Sequence, residues 1–210
     1  TMTAISLASN LTEKEKEIEK EMGSMLQLEK VRESKESKES AMEAEIRRLR
    51  EEIDGIPEDA DIDAIAKLPY LDATCYELMR LNPPLEIIPT RKLSEPMQLG
   101  PYTLETGTGL MPCPILTQRN PELYPEPNAF RPERFLGKRP NVFEYFPFGG
   151  GRRLCAGYAF ANYQMRIVIG TAIREYNIDL QGPAPKATKR YSVVTGPSGR
   201  VPAIITRREA

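Results

Sequence analysis

The sequence predicts a mainly α-helical fold with small β-sheets, and three observations support this. A long stretch rich in Glu, Lys and Arg has no proline and no aromatic residue, whereas all 19 prolines, nine tyrosines and six phenylalanines lie from Pro57 onward. Two later stretches, Pro69–Leu81 and Tyr158–Tyr176, have the length and apolar spacing of helices. The remaining apolar runs are short and separated by Gly and Pro, as in small antiparallel pairs.

In chain order, residues 1–11 (TMTAISLASNL) are apolar, small and lightly charged and suit a buried helix. Thr12 and Glu15 have the spacing of a capping box for a helix that follows. Residues 12–56 read as a charged helical segment or insertion. There Ile18, Met22 and Met25, then Met42, Ile46, Leu49 and Ile53, make narrow stripes at spacings of three and four. Arg32–Ser40 is polar all round, so the segment reads as one or two solvated helices broken near Gly23 or the serines, without a coiled coil's sustained heptads.

Residues 57–210 read as one globular domain. Pro69–Leu81 sets Leu71, Cys75, Leu78 and Met79 on one side and stops at Pro83-Pro84. Met97–Cys113 is a strand pair with turns at Gly100-Pro101 and Gly107. A proline-rich meander, Asn120–Pro147, leads to a glycine loop. Tyr158–Tyr176 is apolar all round, which predicts a buried helix. Arg190–Arg208 reads as two strands around Gly196–Gly199.

Composition excludes several chemistries. A formal net charge of −1 gives no basic footprint for nucleic acid. No apolar run has membrane-spanning length and no secretory leader is evident, so a soluble, cytoplasmic chain is expected. There is no histidine, which removes His-based triads, the HExxH zinc site and histidine ligation of haem iron. Cys75, Cys113 and Cys155 are far apart and odd in number, which argues against a zinc site or a disulfide framework. Cys75 and Cys113 read as buried structural thiols.

Cys155 reads differently. It lies in FPFGGGRRLCAGYAF (Phe146–Phe160), between Gly149-Gly150-Gly151 and an apolar helix. Glycines let the backbone bend sharply and approach a flat ligand. A thiol at a helix's leading end is favoured as thiolate. Ala156 and Gly157 leave room beside the sulfur, and Arg153 could pair bidentately with a carboxylate. An anion loop is a weaker reading, because no GK[ST] follows. Thiolate, flat space and arginine together suit a haem with iron on sulfur and a propionate on arginine.

Phe148, Gly151, Arg153, Cys155 and Gly157 match every defined position of FxxGxRxCxG, so the stretch resembles the cytochrome P450 haem-binding signature. Glu77-Leu-Met-Arg80 resembles the ExxR of the K helix. Pro132-Glu-Arg134-Phe135 resembles the segment whose arginine completes a Glu-Arg-Arg network with it. Arg91 resembles the arginine that reaches the second propionate. Taken singly, Glu77 and Arg80 would be an ordinary exposed i,i+3 pair and Arg134 a surface arginine. The closing GPSGRVP is similar to soluble bacterial members. Gln118 stands where relatives often carry histidine.

The resemblance implies a partial P450 fold: the end of the distal helix in 1–11, the K helix, the meander, the Cys-ligand loop, the L helix and a C-terminal hairpin. It implies haem b, with Cys155 as metal ligand and axial thiolate, Phe148 packed by the sulfur, Gly151 and Gly157 among the cofactor-binding positions, and Arg91 and Arg153 on the propionates. Glu77, Arg80 and Arg134 would support the loop, and Thr3 (or Thr1) would be the distal threonine that relays protons. The implied activity is monooxygenation of an apolar small molecule by a truncated form. Electrons would come from NAD(P)H through a ferredoxin or flavoprotein reductase; Arg131 and Arg152 read either as a basic face toward that donor or as scattered surface charge. A non-catalytic haem-binding fragment, or an inert helical scaffold, is the alternative.

Overall fold

Proline suits the first turn of a helix, where its fixed φ is pre-set and its missing N–H is not needed. Pro69 opens the helix Pro69–Leu81 in this way in the computed structural model. The structure describes residues 20, 24, 27, 43–182, 188–191, 194–197 and 199–208. The chain divides into two compact units, Thr1–Arg48 and Leu49–Ala210. In the first, the described residues are helical. Thr3, the proposed distal-helix remnant 1–11, the capping box and the Ile18–Met25 stripe lie outside the described residues.

The second unit opens with helical residues 49–54 (α1). It continues with α2 (Ile62–Ala66), α3 (Pro69–Leu81), α4 (Pro114–Thr117) and α5 (Tyr158–Glu175), with short 3-10 turns at Pro132–Arg134 and Gly151–Arg153. Among the described residues the strands are β1 (Arg91–Lys92), β2 (Met97–Leu99), β3 (Tyr102–Leu104), β4 (Gly109–Leu110), β5 (Tyr176–Leu180), β6 (Thr188–Tyr191), β7 (Val194–Pro197) and β8 (Ala203–Arg207). They form four two-stranded antiparallel sheets, β1-β4, β2-β3, β5-β8 and β6-β7. The β2-β3 hairpin turns at Gly100, whose φ of +56° suits glycine.

Two expectations are corrected. The C-terminal strands do not pair around Gly196–Gly199: Gly196 lies inside β7 opposite Lys189, and β8 pairs with β5 instead. Strand β5 leaves α5 directly at Tyr176, so a partner for β8 is already formed beside the helix. Helix α5 is also not buried all round. Gly170 is its one buried residue among those described, and Phe160 and Val168 are 68% and 58% exposed. Helix α5 lies along α2 and α3, and its other faces stay open.

The main apolar cluster joins Leu49, Ile65, Tyr70, Leu71 and Cys75, with Met165, Ile167, Ile169 and Ile173 of α5 packed against it. Burial pushes the Cys75 thiol up to about 12, with Asp72 adding to the effect. A second, aromatic cluster packs Phe135 against Tyr76, Tyr124 and Tyr145, with ring centroids 5.6, 6.3 and 5.4 Å away. Arg208 clamps Asp54 through both guanidinium tips, at 3.0 and 2.8 Å, and holds that carboxyl below its usual range.

Helix α3 is capped from a distance. Its own N-cap residue, Leu68, supplies no side-chain acceptor. The Glu52 carboxylate instead accepts from the Tyr70 and Leu71 amides at 2.7 and 3.0 Å. A carboxylate there satisfies two orphan donors and meets the positive end of the helix dipole. Glu52→Ala is expected to cost about 1–2 kcal/mol, read as a lower urea midpoint with unchanged slope. A midpoint equal to wild type would refute the capping role.

Candidate functional site

Glu77 and Arg80 lie one turn apart on α3, and both are fully buried. Arg80 donates from Nε and Nη2 to the two Glu77 oxygens at 2.6 and 2.8 Å. Its remaining donors reach the carbonyls of Gln118, Pro127 and Ala129 at 2.8, 2.7 and 3.2 Å. All five guanidinium donors are therefore used. Its charge also lies 5.1 Å from the centre of the Tyr124 ring. Glu77 Oε1 accepts the Arg131 amide at 2.8 Å, which fixes the start of the 3-10 turn Pro132–Arg134. Arg134 Nε stands 3.5 Å from the same oxygen, an ion-pair distance without hydrogen-bond geometry, while its Nη2 donates to Glu126 O at 2.9 Å. Desolvation pushes the Arg134 guanidinium down, and the Glu77 charge opposes it.

The glycine loop is shaped by backbone bonds. Phe146 O accepts from the Gly149 amide at 2.9 Å, and Phe148 O accepts from the Cys155 amide at 3.0 Å. Gly149 and Gly151 hold φ of +76° and +62°, the left-handed region that side chains disfavour. Gly157 is the N-cap of α5, and a Cβ on it would stand 3.9 Å from Cys155 Sγ. The Tyr158 amide donates to the Cys155 carbonyl at 3.2 Å, so that early helix amide is not free for the sulfur. Cys155 is a free, exposed thiol.

A cleft of about 270 Å³ brings Cys155, Arg153, Phe148 and Gly149 together with Arg91, Leu85, Ile88, Pro89 and Thr90. The Arg91 and Arg153 side chains have no ion pair or hydrogen bond among the described residues, unlike Arg80. Two unpartnered guanidiniums beside one soft sulfur and an apolar wall suit a flat ligand with acid groups and a soft metal. No group of three or more His, Cys, Asp or Glu side chains converges among the described residues. A macrocycle that brings its own metal donors asks only one of the protein. Gly151 lies outside the cleft lining. The expected cation Arg131 is paired with Glu126 at 2.7 Å.

Sequence reasoning missed the part played by Gln118. It is fully buried, donates from Nε2 to the carbonyls of Met79 and Arg80, and accepts the Phe146 amide on Oε1. The signal available was a polar residue just after Pro114–Thr117, but its partners are remote in sequence.

Helical architecture with small antiparallel sheets places the chain in a known structural class. It superposes on a retinoic acid-bound cyanobacterial CYP120A1 with a TM-score of 0.71 and 25% identity, covering 80% of this chain and 40% of that one. A zebrafish cytochrome P450 with abiraterone gives 0.68 and 24%, covering 79% and 41%. The Cytochrome P450 family model matches residues 45–201, and the chain belongs to that family. Carnosic acid synthase of Rosmarinus officinalis is 33% identical over 136 residues, 63% of this chain and 27% of that protein. Germacrene A hydroxylase of Cichorium intybus is 33% identical over 148 residues, 69% of this chain and 30% of that protein. The chain thus spans well under half the length of these relatives. No helix among the described residues is long and apolar enough to cross a membrane.

Proposed function

We propose that the chain is the haem-binding portion of a haem-thiolate monooxygenase. The observation that carries this reading is the cleft in which the Cys155 thiol shares a wall with the unpartnered Arg91 and Arg153. Cys155 would ligate the iron of haem b, and the two arginines would take the propionates. Leu85, Ile88 and Phe148 would line the apolar wall beside it, and Gly157 puts no side chain next to the sulfur. When bound, haem supplies oxygen activation and transfer of one oxygen atom to an apolar organic substrate, with NAD(P)H-derived electrons. The chain's own residues bind, orient and support: the Phe148 carbonyl holds the Cys155 backbone, and Glu77, Arg80 and Arg134 brace the meander. By the family resemblance alone, Thr3 or Thr1 would serve the distal proton relay.

An acidic ferredoxin or flavoprotein would approach a cationic face, and there is a second candidate besides the one expected at Arg131 and Arg152. A groove of about 520 Å³ is lined by Lys67, Lys138, Arg139 and Arg166, against two carboxylates, Asp63 and Asp72, around Tyr76 and Phe135. Arg166 is paired with Asp72, whereas the other three cations have no side-chain partner among the described residues. An adjoining hollow includes Tyr158, whose ring meets Phe148 edge-on at 6.0 Å. The groove is thus one aromatic pair from the thiol cleft.

Haem binding without turnover is the second reading, favoured by the exposure of Cys155. The reduced, CO-bound absorption spectrum tests the first step. A thiolate-type Soret band is expected from the haem-reconstituted chain and should vanish in Cys155→Ser, while Cys113→Ser retains it. No uptake, or an identical band in Cys155→Ser, overturns the ligand assignment. Product formation with a surrogate reductase then separates the two readings.

A further inference from the structure

We infer that Gln118 is a positioning residue that ties the thiol loop to the C-terminal end of α3; its use in haem ligation rests on the reading above. The carbonyls of Met79 and Arg80 lie in the last turn of α3, where helical acceptors have no intrahelical donor. Gln118 Nε2 donates to both, at 3.2 and 3.0 Å. Its Oε1 accepts the Phe146 amide at 3.1 Å. A primary amide can do this because its two donors are on one atom and its acceptor on the other. From Phe146 the path to the thiol is short. The Phe146 carbonyl fixes the Gly149 turn, and the Phe148 carbonyl fixes the Cys155 amide.

Arg80 Nη1 donates to the backbone carbonyl of Gln118 itself at 2.8 Å. The buried ion pair and the loop anchor therefore converge on one residue. Arg119, next in sequence, is directed elsewhere, to Asn128 and the Leu81 carbonyl. Among the described residues no charged side chain bonds to the Gln118 side-chain amide, so the link is a neutral one. Methionine would keep the volume and lose every bond. Neutral histidine would restore one donor and one acceptor on opposite ring atoms.

Amide hydrogen exchange of the haem-free full chain at about pH 8, where imidazole is neutral, tests the assignment. Gln118→Met should speed exchange at Phe146, Gly149 and Cys155 about tenfold while mid-α5 amides keep wild-type protection. Gln118→His should return those three amides to near wild-type rates. In haem-loaded protein, the thiolate share of the CO band should fall in Gln118→Met and recover in Gln118→His. A folded Gln118→Met variant with wild-type loop exchange overturns the inference. Should Gln118→Met fail to fold, unprotected Phe146 in Gln118→His overturns it equally. A loop that loosens in Gln118→Met while no variant takes up haem would refute the haem reading and leave this assignment standing. A wild-type thiolate band with unaltered exchange in both variants does the reverse.

Discussion

Arg80→Lys is expected to destabilise the second unit by about 3–5 kcal/mol, comparable to removal of one partner from a buried ion pair. Lysine keeps the charge but has one nitrogen where arginine has three. It cannot span both Glu77 oxygens and also reach the carbonyls of Gln118, Pro127 and Ala129. Some of those carbonyls would be left buried and unpaired, and Glu77, which has no exposed surface, would keep only part of its compensation. Against a typical total stability of about 5–15 kcal/mol, this is enough to lower the urea midpoint severely. Circular dichroism at increasing urea measures it. The exposed Arg131–Glu126 pair is the control: its side chains are 49% and 70% exposed, so Arg131→Ala should cost about 0–1 kcal/mol. Equal, small losses for both variants would remove the buried network as a determinant of this fold.

That contrast also shows where sequence ran out. Helix α3 was legible because its limits are written locally, with Pro69 at the first turn and Pro83-Pro84 beyond the last. The Glu77/Arg80 spacing was legible as a motif, yet i,i+3 spacing is the same for a solvated pair and a buried one. Burial comes from the carbonyls of residues 118, 127 and 129 closing around the guanidinium, and no local pattern encodes that closure. Gln118 registered only as a departure from a family habit, since its partners at 79, 80 and 146 meet it only after folding. The apolar character of α5 predicts burial all round. Apolar periodicity reports what a helix is able to bury, and the open side of α5 lacks a covering element among the described residues. Pairing of β8 with β5 was missed for a similar reason: the nearer strand in sequence, β7, was already satisfied by β6. The turn before Cys155 was legible locally, because Gly149 and Gly151 hold the left-handed φ that their residue type favours.

Gly170→Ala is the second large effect, and its sign opposes helix propensity. Alanine is worth about 1 kcal/mol over glycine in a helix interior, so an exposed site would gain stability. Gly170 is instead where α5 crosses the main cluster. A Cβ there would overlap Ile65 Cγ2 and stand 3.0 Å from Leu71 Cδ2. The Ile65 methyl is fixed on a β-branched carbon and has little freedom to swing away, and Leu71 is fully buried. Helix separation must grow or side chains must leave their rotamers, which costs about 1–3 kcal/mol and occasionally more. Gly170→Val should be worse still. Ile65→Ala alone should cost about 2–5 kcal/mol through the cavity it leaves. Combined with Gly170→Ala, it opens space for the new methyl, so the double variant should be more stable than the sum of the singles predicts, by about 1 kcal/mol or more. Urea midpoints of the four proteins measure this coupling. Strict additivity would mean that α5 does not approach α2 closely at Gly170, and the packing that sets α5, the helix following Cys155, would have to be sought elsewhere.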